Sequence, residues 1–288
     1  MNNITLLGSG AMGSRMALKL IEAGYQVAVY NRTPENAQRV IKAGARYFDS
    51  PHEAVKQADI VISMLNNDVA SKATWLNTDN GAIYGMKENA IAIESSTLSV
   101  AWLTQLANEM TAQNIAFIDA PVVGSRPQAE AGALVFLAGG KPSTLDTVRP
   151  MLALLSSSII HVGPSGSGIK MKLAVNAFFG MQVIALSESI GLLEKCGIEK
   201  STAIDVFNQL PTTSPALQGI GGLIAAENYA PLFPIDLVEK DFRYALAMAE
   251  NTADQYTLTQ TAHSTFKTAI SAGYGSDNIA SVARLFDD

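Results

Sequence analysis

Ile4-Thr5-Leu6-Leu7-Gly8-Ser9-Gly10-Ala11-Met12-Gly13 is the stretch that decides the fold. A short apolar run passes directly into G-x-G-x-x-G, a helical pattern continues through Ala23, and a second apolar run follows at Val27–Tyr30. Strand, glycine turn, helix and strand in that order form the context in which this motif holds a dinucleotide pyrophosphate. Gly8 allows the tight turn, Gly10 lets a phosphate reach backbone N–H groups, and Gly13 lets helix and strand pack closely. Ala11 and Met12 lie at the helix entrance, where free N–H donors and a partial positive charge attract an anion. The plainer alternative is a glycine turn with a purely structural role.

The end of the second strand sharpens the ligand. NAD-binding versions place Asp or Glu there, to accept from the ribose 2′-hydroxyl. This chain has Asn31-Arg32-Thr33. Asn31 removes a charge that would repel a 2′-phosphate, and Arg32 offers a fork that pairs with one. NADP(H) is therefore the expected cofactor; Arg32 as a solvated loop charge is the other reading.

Further runs at Ile60–Met64, Ala90–Ile93, Ala116–Ile118, Val135–Ala138 and Ile159–Val162 read as strands. Most are too apolar for half-exposed strands, as expected when helices cover both faces of a parallel sheet. Ser50-Pro51-His52-Glu53 reads as a helix start with a capping box. This alternation predicts a doubly wound α/β domain over residues 1–163. The glycine-rich Gly163-Pro164-Ser165-Gly166-Ser167-Gly168 marks a boundary. Beyond it, Leu173, Ala177, Gly180 and Ile184 have helical spacing, in a helix reaching about Lys195. Val238, Phe242, Ala245 and Ala249 repeat the spacing, as do Leu258, Ala262, Phe266 and Ala269. Residues 164–288 are thus expected to be all-α.

Composition agrees with two globular domains and excludes several functions. The 288 residues carry 20 Lys+Arg against 26 Asp+Glu, a net charge of −6, with 48% hydrophobic and 16% charged residues. That is far from disordered composition. An acidic balance without a basic run argues against nucleic acid as a partner. The one cysteine, Cys196, excludes an internal disulfide framework and a cysteine-built zinc site. No metal is expected. Met1-Asn2-Asn3-Ile4 lacks the start of a signal peptide, and no uninterrupted apolar run approaches about 18 residues, so a cytoplasmic protein without a membrane partner is expected.

Carbonyl chemistry at a dinucleotide needs a proton donor. Histidine often serves, but His52 falls in a first helical turn, His161 at a strand end and His263 mid-helix. Lysine is the alternative. Lys172 and Asn176 are four apart and share a helix face, whereas Lys170 lies about 200° round from Lys172. A lysine and an amide on one face suit protonation and orientation of a carbonyl oxygen. A solvated helical lysine is the plainer reading.

With these residues in place, the chain resembles the β-hydroxyacid dehydrogenase family over nearly its whole length. Four segments carry the resemblance: Gly8–Gly13 through Asn31-Arg32-Thr33; Asp119-Ala120-Pro121-Val122-Val123-Gly124-Ser125; Gly166-Ser167-Gly168-Ile169-Lys170-Met171-Lys172 ending at Asn176; and Phe233-Pro234 followed by Lys240-Asp241. The resemblance implies a Rossmann domain, a long interdomain helix and an all-α domain, assembled as a homodimer or homotetramer. It implies Lys172 as general acid in reduction, with Asn176 holding that lysine or the substrate oxygen. Thr97 falls at the contact near the nicotinamide ribose, and Met64, Leu65 and Asn66 line the cofactor crevice. Lys240 closes over the nicotinamide or binds the acid group, with Phe233 and Asp241 on the substrate side.

Two positions depart from the family pattern. Val123 replaces the usual serine that helps hold a substrate carboxylate, leaving Ser125 and the backbone of Val123, Gly124 and Ser125 as donors. Val175 stands where many members have a second asparagine. The Lys-Met-Lys start and the Asn-Arg-Thr segment look most like the glyoxylate and succinic semialdehyde reductase branch. The expected reaction is NADPH-dependent reduction of a small aldehyde acid. Two alternatives stand beside it: an imine reductase on the same architecture, and a dinucleotide-binding interaction protein without catalysis.

Overall fold

A computed structural model describes residues 1–287. In chain order its elements are β1 (Asn3–Leu7), α1 (Gly13–Glu22), β2 (Gln26–Tyr30), α2 (Gln38–Lys42), β3 (Arg46–Tyr47), α3 (Pro51–Val55), β4 (Ile60–Ser63), α4 (Asp68–Leu76), β5 (Ile91–Glu94), α5 (Val100–Ala112), β6 (Ala116–Asp119), β7 (Val122–Val123), α6 (Arg126–Ala131), β8 (Leu134–Gly140), α7 (Pro142–Leu152) and β9 (Ser156–Gly163). Helices follow: α8 (Ser167–Lys195), α9 (Lys200–Gln209), α10 (Pro215–Ala225), α11 (Ile235–Ala247) and α12 (Thr257–Ser271). The chain divides into two compact units, Met1–Lys172 and the part from Leu173 onward, with the division inside α8.

The first unit is the expected Rossmann-like sheet with helices. Its strands run β3-β2-β1-β4-β5-β6-β8-β7, with β9 against β8. β1 to β6 are mutually parallel. Apolar side chains on its two faces bury separate clusters, one around Leu6, Met16, Ile62 and Phe136, the other around Leu7, Val61, Trp75 and Leu106. This is why the strands read as continuous apolar runs.

The sheet is mixed rather than wholly parallel. β8 runs antiparallel to β6 and β7, and β9 is parallel to β8. Only residues 124–133 join β7 to β8, fewer than the dozen or so a parallel crossover needs. β3 and β7 have two residues each, too short for a period-2 pattern to declare itself. At α3, Ser50 Oγ accepts from Glu53 N–H at 3.2 Å as read, but the Glu53 carboxylate pairs with Lys56 rather than completing the box.

The second unit is all-α, as expected. α8, α11 and α12 bury Val183, Ile184, Val238, Phe242, Ala262 and Phe266, and the rings of Phe242 and Phe266 lie 5.4 Å apart. Ala249 falls beyond the end of α11. α9 and α10 carry no expectation from the sequence reading. α10 is capped by Ser214 and opened by Pro215, yet Gly219, Gly221 and Gly222 within it dilute the helical signal. By length and by a mean hydropathy of 1.4, α8 meets the requirement for a membrane span, although no uninterrupted apolar run does. Half of that window is buried inside the protein, as in a core helix.

Candidate functional site

In the N-terminal unit β1 lies between β2 and β4, so chain connections leave its two sides in opposite directions. In doubly wound sheets the dinucleotide crevice lies at such a point, beyond the carboxyl ends of the strands. Gly8 sits at its floor. Gly8 N–H donates to Tyr30 O at 2.8 Å and Met64 N–H donates to Leu7 O at 2.9 Å, which ties the loop to both neighbouring strands. Gly8 has φ +101°, and a Cβ there would overlap Met64 O and lie 2.9 Å from Leu65 Cδ2. A Cβ on Gly13 would overlap Gly8 O. Both positions therefore exclude any side chain.

The loop also fits the ligand its motif implies. No atom comes within 4 Å of the place a Cβ would occupy on exposed Gly10, so its backbone faces open space. The N–H groups of Gly10, Ala11 and Met12 have no acceptor among the described residues. Ser9 Oγ is buried without a partner. Three open backbone donors and an orphaned hydroxyl at a helix entrance suit a pyrophosphate.

Asn31 does more here than lack a charge. Its Oδ1 accepts from Ser9 N–H at 2.9 Å and its Nδ2 donates to Thr33 O at 2.8 Å. The amide thus shapes the glycine loop and the Arg32-Thr33 turn together. Arg32 and Thr33 are exposed.

A second wall has a buried support that the sequence reading missed. Glu94, at the end of β5, is fully buried. Its carboxyl accepts from Ser71 Oγ and Trp75 Nε1 on α4, each at 3.0 Å, and from Ser96 N–H at 3.0 Å. Ser96 Oγ then accepts from Leu65 N–H at 2.7 Å. Ser99 N–H donates to Asp68 Oδ1 at 2.9 Å. The loops after β4 and β5 are therefore latched together. Met64, Leu65 and Asn66 line one and half-buried Thr97 the other. The one available signal was a charged residue ending the apolar run Ile91–Ile93.

At the segment after β6, Val123 and Ser125 are half-buried and Gly124 is exposed. Ser125 N–H donates to Gln128 Oε1 at 2.9 Å, and Ser125 and Gln128 form a reciprocal capping box at α6. That backbone donor, expected to be open, is engaged. Upstream, fully buried Asp119 accepts from Gly166 N–H at 2.7 Å and Ile169 N–H at 2.9 Å. It anchors the first turn of α8, the helix carrying Lys172. Burial pushes the Asp119 carboxyl up to about 6, against the pull of these N–H donors. Lys172 is only 8% exposed and closes this unit, whereas Lys170 is exposed.

The C-terminal unit holds the remaining nominated residues. Asn176 lies four residues beyond Lys172 on α8 and is buried. Its Nδ2 donates to Asp241 Oδ2 at 2.6 Å, and Lys240 Nζ donates to Asp241 Oδ1 at 2.8 Å. Lys240 also stands 4.8 Å from the centre of the Tyr244 ring. One buried carboxylate thus joins Asn176 to Lys240. Phe233 is half-buried just before α11. The histidines do other work: His161 Nε2 lies 2.9 Å from Gly140 O and His263 Nε2 lies 2.8 Å from Glu239 Oε1.

Comparison with known proteins agrees with this architecture. Residues 3–163 match the family described as the NAD binding domain of 6-phosphogluconate dehydrogenase. Residues 166–286 match the NAD-binding family of NADP-dependent 3-hydroxyisobutyrate dehydrogenase. The chain is 31% identical over 280 residues to glyoxylate/succinic semialdehyde reductase 2, chloroplastic, of Arabidopsis thaliana, covering 97% of this chain and 78% of that one. It is 30% identical over 279 residues to glyoxylate/succinic semialdehyde reductase 1 of the same plant, covering 97% and 96%. Among solved structures, Mycobacterium tuberculosis 3-hydroxyisobutyrate dehydrogenase with L-serine superposes over 100% of both chains, with a TM-score of 0.90 and 28% identity.

Proposed function

The chain belongs to the β-hydroxyacid dehydrogenase family and is a nicotinamide-dependent oxidoreductase, and from that premise we propose that it reduces a small aldehyde acid, of the succinic semialdehyde or glyoxylate type, with NADPH. The observation that carries this reading is Lys172, an almost fully buried lysine one helical turn before buried Asn176 on α8.

A reduced nicotinamide, when bound, supplies the hydride to the carbonyl carbon. The chain's own residues supply the rest. Lys172 gives a proton to the carbonyl oxygen, so the carbonyl becomes a hydroxyl and the lysine is left neutral. Asn176 gives one amide N–H to Asp241; its amide oxygen accepts from the lysine, or its second N–H donates to the substrate oxygen. The Gly10–Met12 donors take the pyrophosphate, and Met64, Leu65, Asn66 and Thr97 flank the nicotinamide half. Lys240, Phe233 and Asp241 serve the substrate side. For cofactor choice, the reading rests on Asn31 and exposed Arg32, which leave a 2′-phosphate unopposed and offer it a partner. The proposal also includes a cytosolic homo-oligomer; light scattering of the purified protein tests the assembly, and fractionation of cells tests the location.

Initial rates on an aldehyde-acid panel, run beside an imine panel, test the reaction. NADPH should be oxidised faster than NADH at equal concentration, and a preference for NADH would remove the Arg32 argument. Lys172→Ala should lower turnover by about two to four orders of magnitude, with NADPH binding retained. Undiminished activity in that variant would place the proton donor elsewhere.

A further inference from the structure

The segment expected to hold a substrate's acid group offers fewer donors than its sequence suggests. Val123 has no hydroxyl, and Ser125 N–H is closed by Gln128. Yet the next residue is a cation in an unusual state. Arg126 is half-buried, and its Nε lies out of reach of solvent with no hydrogen-bond partner. Native proteins rarely leave such a group unpaired.

The obvious internal partner is engaged elsewhere. Glu130 stands four residues along α6 from Arg126, the spacing at which helical ion pairs form. Instead Glu130 Oε1 meets Arg15 Nε at 2.8 Å and Arg39 at 3.8 Å, on α1 and α2. Arg15 in turn donates to Ala11 O at 2.7 Å, in the glycine loop. So the acidic residue of α6 braces the nucleotide loop, and no ion pair neutralises Arg126 among the described residues.

We propose that Arg126 is a specificity-determining anchor for an oxyanion, and that it replaces the missing hydroxyl at Val123 in holding the carboxylate of the substrate. A guanidinium suits this because its planar fork matches the two oxygens of a carboxylate, and one buried donor is already stripped of water. The proposal rests on the aldehyde-acid reading above. The same fork would also fit a phosphate of the cofactor, so the test separates these two sources.

Wild type, Arg126→Gln and Arg126→Lys are compared, with melting temperature as the check on folding. NADPH affinity is read by nucleotide fluorescence, and succinate affinity by calorimetry at saturating NADPH. Arg126→Gln should weaken succinate by about tenfold or more, with NADPH affinity unchanged and Arg126→Lys intermediate. Weaker NADPH with unchanged succinate would assign the oxyanion to the cofactor's phosphate, which overturns the carboxylate role while keeping the anchor. No change in either affinity overturns the anchor itself, as does a wild type that binds no succinate while NADPH affinity ignores the substitution. Should wild type reduce no aldehyde acid, the proposed reaction fails, while the two titrations still decide Arg126.

Discussion

Replacing Glu94 tests the buried latch that supports the crevice. Its carboxyl serves three donors at 3.0 Å: Ser71 Oγ, Trp75 Nε1 and Ser96 N–H. Glu94→Ala would strand them in a fully buried site. Each unsatisfied buried donor costs about 1–3 kcal/mol. Trp75 Nε1 keeps a weaker acceptor in Ser63 Oγ at 3.3 Å, and the Ser71 hydroxyl can rotate. With those reliefs the expected loss is about 4 kcal/mol. For a unit of this size that lowers the melting temperature by about 8–16 °C. Glu94→Gln should cost about 2 kcal/mol, because its oxygen can serve Ser71 and Trp75 while its NH2 opposes Ser96 N–H. Because Ser96 Oγ holds Leu65 N–H, both variants should also weaken NADPH binding, alanine more than glutamine. Urea denaturation and fluorescence titration measure the two effects. A cost below about 1 kcal/mol for Glu94→Ala would refute the reasoning, since that is less than one orphaned donor. Equal costs for the two variants would refute it as well.

Other substitutions probe separate links. The Asp119 carboxyl, raised from 3.8 to about 6, binds its proton more tightly in the fold than in the open chain. Its contribution is complete below pH 3.8 and is lost as pH rises through about 6; the gap amounts to about 3 kcal/mol. Wild type should therefore lose about that much stability relative to Asp119→Asn between pH 4 and 7, and urea midpoints at several pH values would show a constant difference if the argument is wrong. Gly13→Ala drives a Cβ into Gly8 O, so it should cost about 1–3 kcal/mol and weaken NADPH by about tenfold or more. NADPH affinity equal to wild type would contradict the close packing. Asp241→Ala leaves Lys240 and Asn176 without their shared carboxylate, and should destabilise the C-terminal unit by about 3 kcal/mol; a thermal scan unchanged from wild type would deny that link.

The glycine loop was legible because each of its glycines answers a local demand. Gly8 needs a positive φ and Gly13 a bare Cα, and both demands recur at fixed spacing wherever a strand turns into a helix over a phosphate. Lys172 and Asn176 were legible for a similar reason, since four residues make about one helical turn. Strand order partly escaped: β7 and β9 join β8 through contacts that no local pattern expresses, and two-residue strands carry no period.

By itself, then, the sequence determined a Rossmann unit followed by helices, the phosphate loop, and the helix face shared by Lys172 and Asn176. Only the tertiary structure decided which polar groups meet. Glu94 joins residues 19 and 23 positions away, Asp119 caps a helix 50 positions on, and Asn176 meets Asp241 across 65. Glu130 turns from its helical neighbour Arg126 to Arg15, 115 positions away. Backbone geometry repeats along a chain and leaves a period to read. A buried hydrogen bond depends on what the fold places beside it, and on the water it excludes.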